Sequence, residues 1–246
     1  MLIQNTNPMT VAPEQNLVRQ GFSREDLFVA VHEQFMTETA AMADIVLPAT
    51  MFMEHDDLYY GGGHQHISVG PKLIDAPGEC RSNHEVLQGL SGRLDAVHPG
   101  FNMTPRELID VTLRKSGHGD ISSLEAELWR DIQPDFRASH YLDGFAHADR
   151  KFHFRADWAN PPFGKPGLGP WRDMPGLPDH WMIIEDADEK HPFRLATSPS
   201  RSYLNTSFNE TPGSQAREGG PTVMIHPADA AELSIADGDA VTLGNM

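Results

Sequence analysis

Residues 27–48 read LFVAVHEQFMTETAAMADIVLP, and this stretch decides the fold of the N-terminal part of the chain. Residues 27–31 form a continuous apolar run, which is typical of a strand buried on both faces of a parallel sheet. Residues 37–43 predict a short helix, and residues 44–47 predict a second strand that Pro48 ends. The stretch therefore predicts a strand–helix–strand unit.

The residues before this unit extend the same pattern towards the N-terminus. Residues 2–4 predict a strand that ends at the turn sequence Asn5–Pro8, and residues 13–20 predict a helix that Gly21 closes. Alternation of three strands with two helices predicts a parallel sheet with right-handed crossovers. We therefore predict an α/β fold with a Rossmann-like domain over residues 1–95.

Helices are predicted to dominate residues 82–132, and residues 96–180 are predicted to be a helical segment with a proline- and glycine-rich linker. Helix starts are indicated by a hydroxyl residue followed three positions later by glutamate. This spacing occurs at Ser82 and Glu85, at Thr104 and Glu107, and at Ser122 and Glu125. Ten of the 18 residues at 161–178 are proline or glycine, which predicts a linker or a long surface loop there.

The last part of the chain, residues 181–246, has the pattern of a β-rich domain. Residues 193–197, 222–226 and 240–243 are strand candidates, and residues 227–233 predict one or two helical turns between them. The third candidate strand follows a turn at residues 237–239. This order predicts an incomplete β-barrel domain.

The composition excludes several classes of protein. The chain has 246 residues with 19 basic and 35 acidic side chains, a formal net charge of −16, which argues against binding to nucleic acid or to an anionic membrane. No apolar run approaches the roughly 20 residues of a membrane span. A single cysteine, Cys80, excludes an intrachain disulfide and an all-cysteine iron–sulfur cluster. Because no signal peptide is evident, we expect the cytoplasm, or the periplasm if a signal precedes Met1.

Residues 191–209, HPFRLATSPSRSYLNTSFN, lack acidic side chains in an otherwise acidic chain. They contain Arg194 and Arg201 together with a dense set of neutral donors and acceptors. That set comprises Thr197, Ser198, Ser200, Ser202, Asn205, Thr206 and Ser207. Such a loop suits a ligand with a phosphate or a heteroaromatic ring, because arginine makes forked contacts with anions. A solvated loop with a structural arginine explains the same residues, and composition leaves both interpretations open.

Two blocks of the sequence resemble a known family. Residues 5–9 (NTNPM) and 25–57 are similar to molybdopterin-dependent oxidoreductases of the dimethyl sulfoxide reductase and formate dehydrogenase type. The resemblance rests on HEQFMTETA at residues 32–40 and on ADIVLP at residues 43–48. Residues 193–208, followed by HPADAAELSIADGDAVTL, resemble the start of the family's C-terminal dinucleotide-binding domain.

The resemblance implies a cofactor, molybdopterin guanine dinucleotide. Residues 1–95 would match the family's second α/β domain, which grips one guanine nucleotide, and residues from about 181 would match a double-psi type barrel that covers the pterins. The chain would then be a fragment without catalytic residues or metal ligands, since family enzymes hold molybdenum in an N-terminal region. The implied partners are that missing N-terminal part, a small-molecule substrate and an electron-transfer subunit.

The resemblance also implies roles for particular side chains. Thr37 and Thr39 would hold a phosphate at the start of a helix, and Glu33 or Asp44 would accept hydrogens from a guanine edge. Asn7, at the end of the first strand, lies where open α/β sheets bind ligands. The pterin and its phosphate would contact Thr197, Ser198, Arg201, Asn205, Thr206 and Ser207.

Two functions of other classes stay open. The segment Glu54–His66 contains EHDD and HQH, whose carboxylate and imidazole groups could serve a metal-dependent hydrolase that activates water. A fold remnant that binds no ligand is the second alternative. Cys80 with His84 four residues later is a third and weaker candidate, because a lone cysteine is more often an inert thiol.

Overall fold

The structure, a computed structural model, describes residues 1–157, 175–179 and 186–244. These residues form two compact units. One contains Met1–Pro134 and Ser200–Glu218, and the other contains Asp135–Pro199 and Gly219–Met246. The domain limits expected from the sequence, 1–95, 96–180 and 181–246, stay a prediction. The predicted linker at 161–178 lies outside the described residues except for its last four positions.

A three-stranded parallel sheet forms the N-terminal part of the first unit. Its strands are β1 (Leu2–Gln4), β2 (Ala30–Glu33) and β3 (Ile45–Pro48), in the order β1-β2-β3. Leu2 pairs with Ala30, and Ala30 pairs with Ile45 in parallel register. The parallel α/β sheet predicted from residues 1–48 is therefore confirmed.

The helices beside this sheet differ in detail from the prediction. They are α1 (Pro8–Val11), α2 (Gln15–Phe22) and α3 (Glu38–Ala41). The sequence predicts only a turn where α1 forms. A helical turn forms there because Pro8 suits the first helical position and the Asn7 carbonyl accepts the amides of Thr10 and Val11.

An apolar core lies between the parallel sheet and these helices. Its buried members are Ile3, Val29, Val31 and Ala40, with Phe22, Leu27 and Ala43 packed against them. The sequence predicts a strand over residues 27–31, whereas β2 begins at Ala30. Val29 is buried, but its backbone N–H donates to the Asp44 side chain and not to a strand backbone. Regular strand pairing of β2 therefore begins at the next residue, Ala30.

A second, antiparallel sheet follows, which the sequence did not predict. It consists of β4 (Asp57–Tyr60), β5 (His66–Gly70) and β6 (Arg130–Asp131). The helices α4 (Asn83–Arg93), α5 (Pro105–Lys115) and α6 (Ile121–Glu127) follow β5, with a 3₁₀ turn at Pro99–Asn102. Ile67 of β5 packs with Ile109, Leu113 and Leu124 in a second core. Ile109 and Leu113 share a helix face, as their spacing of four residues predicts.

Two of the three predicted helix caps are confirmed. Ser82 with Glu85 and Thr104 with Glu107 form complete capping boxes at the starts of α4 and α5. The third prediction, Ser122 with Glu125, is wrong because Asp120 caps α6. Its carboxylate accepts the Ser123 amide at 2.8 Å, which places Ser122 inside the first helical turn.

The C-terminal residues contain short helices but lack the predicted strands. These helices are α7 (Phe136–Ser139), α8 (Pro212–Glu218) and α9 (Pro227–Glu232). The helical turns predicted at residues 227–233 are therefore confirmed. Residues 193–197, 222–226 and 240–243 form no strand among the described residues, where an isolated bridge joins Leu204 and Ser207. A strand needs a hydrogen-bonded neighbour, and the described residues offer these segments none. The predicted barrel is thus not confirmed.

Over the described ranges, no helix is long and apolar enough to cross a bilayer. The compartment expected from the sequence stays a prediction.

We predict that replacing Glu85 with glutamine destabilises the protein in a pH-dependent way. The pKa of Glu85 is lowered, chiefly because its carboxylate accepts the backbone N–H of Ser82. A lowered pKa in the folded state stabilises the protein above the unfolded value, about 4.3, and this stabilisation is lost as the pH falls through the folded pKa. Glu85→Gln should therefore cost about 0.5 kcal/mol of unfolding free energy at pH 7.

Urea denaturation between pH 7 and pH 3 measures this difference. The gap between wild type and Glu85→Gln should close at the acidic end, while Glu79→Gln, which alters a carboxylate outside the capping box, should have little effect. A gap that stays constant with pH would contradict the capping role of the Glu85 charge.

Candidate functional site

The carboxyl ends of the three parallel strands meet at one edge of the sheet. Gln4 of β1 lies beside His32 of β2, and Glu33 of β2 lies beside Pro48 of β3. Open α/β sheets bind ligands outside the carboxyl ends of their strands. Glu33, at the end of the central strand, is half-buried, and its Oε1 accepts the Gln34 backbone N–H at 2.7 Å.

Asn7 and Thr39 connect the loop after β1 to the start of α3. The Thr39 hydroxyl donates to Asn7 Oδ1 at 2.6 Å and accepts the Met9 backbone N–H at 3.1 Å. Thr39 has no exposed surface, and Asn7 is 5% exposed. We call this pair, with its contact to Met9, the loop clamp. It fixes the course of the chain after β1.

The two residues before Thr39 support the same loop. Thr37 is the N-cap of α3, and its side-chain oxygen accepts the Ala40 amide at 3.2 Å. Glu38 Oε2 accepts the Thr10 hydroxyl at 3.1 Å and lies 3.5 Å from the Asn7 amide nitrogen. Hydrogen bonds from its own backbone N–H, from Asn7 and from Thr10 lower the pKa of Glu38. The carboxylate is therefore charged at neutral pH and contributes to the fold.

These contacts bear on the predicted phosphate site. The hydroxyls of Thr37 and Thr39 are both used inside the protein, and both side chains are buried. Direct contact with a phosphate stays a prediction. It would require Thr39 to give up its donation to Asn7, whereas the Thr37 hydroxyl only accepts and keeps its own hydrogen for donation.

His32, which the sequence analysis did not single out, joins three elements behind the edge. Its ring is 1% exposed, and Nε2 lies 2.9 Å from the Arg81 carbonyl, so Nε2 carries a hydrogen. Nδ1 lies 3.1 Å from the side-chain amides of both Gln4 and Asn83. The imidazole thereby ties β1 and β2 to the start of α4. A histidine within a strand signature gave no sign of this role, since its partners are distant in sequence.

The structure places the two carboxylates that could accept hydrogens from guanine, Glu33 and Asp44, at opposite edges of the sheet. Asp44 precedes β3, at the amino end of the sheet, and its Oδ2 accepts the Val29 backbone N–H at 2.7 Å. Glu33 lies at the carboxyl end, about 13 Å further along the strand direction. Asp44 therefore does not share an edge with Glu33 and Asn7, and it holds the starts of β2 and β3 together. Of the two alternatives, only Glu33 lies where the strands end.

Asn5 and Thr6 also follow the end of β1 at this edge, where the sequence predicts only a turn. Both side chains are exposed and make no hydrogen bond among the described residues. Asn5 has a φ of 58°, in the left-handed region that asparagine tolerates better than most residues. Because asparagine often adopts the left-handed conformation, its presence at residue 5 is a sequence indication of a turn. The same indication does not distinguish a simple turn from a loop that binds a ligand.

The predicted pterin-contacting residues fall in both units. Thr197 and Ser198 belong to the second unit and are exposed. Arg201, Asn205, Thr206 and Ser207 belong to the first unit. Leu204 and Ser207 exchange backbone hydrogen bonds of 3.1 and 2.8 Å around a tight turn, with Asn205 at a φ of 52°. The turn presents Asn205 and Ser207 to solvent and leaves Thr206 partly covered.

The donor chemistry of residues 191–209 fits a polar anionic cofactor. Arg194 and Arg201 are exposed, and within the described residues neither guanidinium makes an ion pair. An arginine without a carboxylate partner keeps its full donor capacity for an incoming phosphate. The hydroxyl and amide groups in this stretch of sequence add neutral donors that need no counter-charge.

The metal-site alternative at Glu54–His66 finds no support in the geometry. Glu54 accepts the Met51 amide, while His55 bonds to Thr50 and lies 3.9 Å from Asp57. Asp56 accepts the Lys72 amide. His64 and His66 have ring centroids 5.5 Å apart, and His66 packs edge-on against Trp129. In the part of the chain that the structure describes, no group of three or more such side chains is arranged to hold a metal ion.

Cys80 is likewise not part of an activated pair. It is half-buried, and His84 bonds through Nε2 to the Met103 carbonyl at 2.7 Å.

Comparison with protein families decides the classification. The family model "Molybdopterin oxidoreductase" matches residues 1–93, and the model "Molydopterin dinucleotide binding domain" matches residues 193–246. Together the two models cover more than half of the chain, in the order expected from the sequence. The chain belongs to the molybdopterin oxidoreductase family. The family and the class of cofactor predicted from the sequence are thereby confirmed.

Similar proteins agree with this classification. The probable oxidoreductase YoaE of Bacillus subtilis is 36% identical over 100% of this chain and 35% of its own length. A nitrate reductase of Symbiobacterium thermophilum is 27% identical over 99% of this chain and 33% of its own length. The chain thus spans about a third of the length of the curated relatives it matches.

The fold also occurs in a solved structure. Acetylene hydratase from Pelobacter acetylenicus superposes with a TM-score of 0.73 over 97% of this chain and 32% of that chain, at 17% identity. This likeness supports the mixed α/β fold with its parallel sheet.

We predict that removing the Thr39 hydroxyl loosens the loop after β1. Thr39→Val keeps the shape of the side chain but leaves Asn7 Oδ1 and the Met9 amide without their buried partner, which should cost about 1–3 kcal/mol of unfolding free energy. Thr39→Ser keeps the hydroxyl and should recover most of that loss.

Urea denaturation gives the free energies, and hydrogen exchange at the Met9 amide shows where protection is lost. Thr6→Val, which removes an exposed hydroxyl that makes no hydrogen bond among the described residues, serves as the control and should have little effect. Equal effects of Thr39→Val and Thr39→Ser would contradict the loop clamp.

Proposed function

We propose that this chain binds molybdopterin guanine dinucleotide as part of a molybdenum oxidoreductase. The observation that carries the proposal is the carboxyl edge of the β1-β2-β3 sheet, where Glu33 ends the central strand within the range matched by the molybdopterin oxidoreductase model. This edge supplies the position and the polar groups that a bound nucleotide needs.

Glu33 is proposed to accept hydrogens from the guanine base. The loop clamp of Asn7 and Thr39 holds the neighbouring loop in place, and Thr37 caps the helix that follows Glu33. In this proposal Thr37, Thr39 and Asn7 act mainly by positioning, since all three are buried.

Residues 193–246 are proposed to contact the pterin and its phosphate. Arg201 would form the forked contact with phosphate, supported by Asn205, Thr206 and Ser207 on the same segment, and by Thr197 and Ser198. We also propose that this range contributes to a double-psi type barrel. The match to a dinucleotide binding domain supports both statements.

The remaining assignments concern the whole enzyme and are proposals as well. When bound, the cofactor supplies two-electron redox chemistry at molybdenum, while this chain supplies binding, orientation and electrostatics. We propose that this sequence corresponds to the C-terminal third of the enzyme. The metal ligand and any iron–sulfur cluster would then come from the part of the enzyme that lies outside this sequence. A small-molecule substrate and an electron-transfer subunit are the further partners proposed.

The test is the pterin content of the purified protein. The chain is produced in cells that make the cofactor, alone and together with the N-terminal part of a family enzyme, and then oxidised in acid. The proposal is supported if the oxidised sample shows pterin fluorescence. It also requires that cleavage of the pyrophosphate releases GMP in an amount equal to the pterin. Absence of pterin in both preparations would refute it and favour a remnant that binds no ligand.

We predict that Arg201→Ala weakens cofactor binding by at least about tenfold and so lowers the bound pterin, because one forked charge-assisted contact is worth about 1.5–3 kcal/mol. Arg217→Ala, an exposed arginine of α8, is the matched control and should retain wild-type pterin. Equal pterin in Arg201→Ala and wild type would remove Arg201 from the proposed site.

A further inference from the structure

The outer edge of the parallel sheet, formed by β3, is open at one residue. The backbone N–H groups of Ile45 and Ala49 donate to carbonyls in or next to β2. Backbone groups of alternate residues point to opposite sides of a strand, so those of Val46 and Pro48 point away from β2. The Pro48 carbonyl accepts the Arg81 N–H at 3.1 Å, whereas the N–H and the carbonyl of Val46 have no partner among the described residues.

A short segment closes this edge at its carboxyl end. Arg81 forms a single parallel bridge with Ala49. Before that bridge the chain makes a tight turn, in which the Cys80 N–H donates to the Pro77 carbonyl at 3.1 Å. Gly78, inside the turn, has a left-handed φ of 55°, which glycine adopts without strain. An added strand at the open position is therefore blocked by Arg81 at its end.

A groove runs along the open edge, between β3 and α4. Its volume is about 330 Å³, at the lower end of the range for ligand-binding clefts. Its walls are mainly apolar and consist of Val46, Leu47, Pro48, Val86 and Leu90. Gly89 of α4 also lines the groove, and a Cβ atom added there would meet only Arg93 Nη1, at 3.7 Å. The groove thus combines apolar contact with an unpaired backbone edge.

Four charged side chains surround the apolar walls, namely Glu79, Arg81, Glu85 and Arg93. Neither arginine forms an ion pair within the part of the chain that the structure describes. The Glu85 carboxylate accepts the N–H and the hydroxyl of Ser82, at 2.7 and 2.9 Å, so it is already used at the start of α4. The two guanidinium groups then face one further carboxylate, the exposed Glu79. This rim favours a ligand with a single negative charge.

We propose that this groove binds the C-terminal segment of a partner polypeptide that ends in an apolar residue. The segment lies extended and parallel to β3, and its backbone supplies the carbonyl and the N–H that Val46 lacks. Its last side chain packs against the apolar walls. Its terminal carboxylate reaches the closed end of the groove, where Arg81 and Arg93 contact it. The site shares no residue with the proposed cofactor site.

Other occupants satisfy only part of the groove. A small carboxylic acid matches the apolar walls and the arginines, but it gives the Val46 carbonyl no N–H donor. An internal strand pairs with Val46 but would have to continue past Arg81, and it brings no charge to that end. A phosphate matches the arginines alone, because it leaves the apolar walls uncovered.

The experiment is a titration of the full 246-residue chain with the peptide acetyl-Ser-Thr-Val-Val, followed by ¹H–¹⁵N NMR. The Val46 amide should exchange quickly with solvent in the free chain and slowly with the peptide bound, because it gains a hydrogen bond. The same peptide with an amidated C-terminus should bind about tenfold more weakly, since it lacks the charge that the arginines contact. Isovaleric acid should leave the exchange at Val46 fast.

The two glycines of α4 provide a matched pair of variants. Gly89→Leu places a side chain in the groove and should weaken the peptide at least about tenfold. It should not disturb the fold, since leucine favours a helix more than glycine does and the added Cβ has room. Gly92→Leu makes the same change on the same helix outside the groove, and it should leave the affinity unchanged.

Two further variants separate the charge from the backbone contact. Arg93→Gln should weaken the peptide acid about tenfold and leave the amidated peptide unchanged, because only the acid carries the charge. Val46→Pro removes an N–H that no hydrogen bond of the described fold uses, and it should weaken both peptides about fivefold. Val46→Ala keeps the N–H and shows how much of that loss belongs to the side chain.

Three results would overturn the proposal. One is the absence of any change at Val46 with millimolar peptide. Another is equal affinity for the peptide acid and the amidated peptide, or for the peptide and isovaleric acid, since the latter would indicate a site for small carboxylic acids. The third is an unchanged affinity in Gly89→Leu, which would place the peptide outside the groove.

Discussion

The parallel pairing of β2 with β1 on one side and β3 on the other is the constraint on which the candidate site depends. Parallel register brings the carboxyl ends of all three strands to the same edge, so loops that are about 30 and 15 residues apart in sequence become neighbours. The same register places Asp44 at the opposite edge. Which carboxylate is available to a ligand therefore follows from strand direction and not from residue type.

Buried polar contacts complete what the strands begin. The sheet has only three short strands and a small apolar core, yet Asn7, Thr39 and His32 are almost entirely removed from solvent. Each of them is hydrogen-bonded, because a buried polar group without a partner costs about 1–3 kcal/mol, roughly twice the net value of a typical hydrogen bond. These residues specify the course of the loops and leave Asn5, Thr6 and Glu33 at the surface.

The distribution of charge separates the two parts of the proposed cofactor site. The edge around Glu33 contains carboxylates without nearby lysine or arginine in sequence, whereas residues 191–209 contain arginines without carboxylates. A guanine dinucleotide has the same division, with hydrogen donors on its base and negative charge on its phosphates. The net charge of −16 conceals this division, because the phosphate-compatible segment is short.

Local sequence was sufficient wherever short-range interactions decide the structure. The alternation of apolar strands and short helices over residues 1–48, the caps Ser82 and Thr104, and the motifs of the molybdopterin oxidoreductase family were all readable from the chain itself. Residue type shows that a hydroxyl group can donate a hydrogen bond to a phosphate, but it does not show which partner the hydroxyl has in the fold. Tertiary structure alone decided that Thr39 bonds to Asn7, that Asp44 lies at the other edge, that His32 is a junction, and that Asn5 is exposed. It also decided that residues 193–197 remain without a strand partner. The reason is physical, since burial, strand register and hydrogen-bond partners depend on residues distant in the chain.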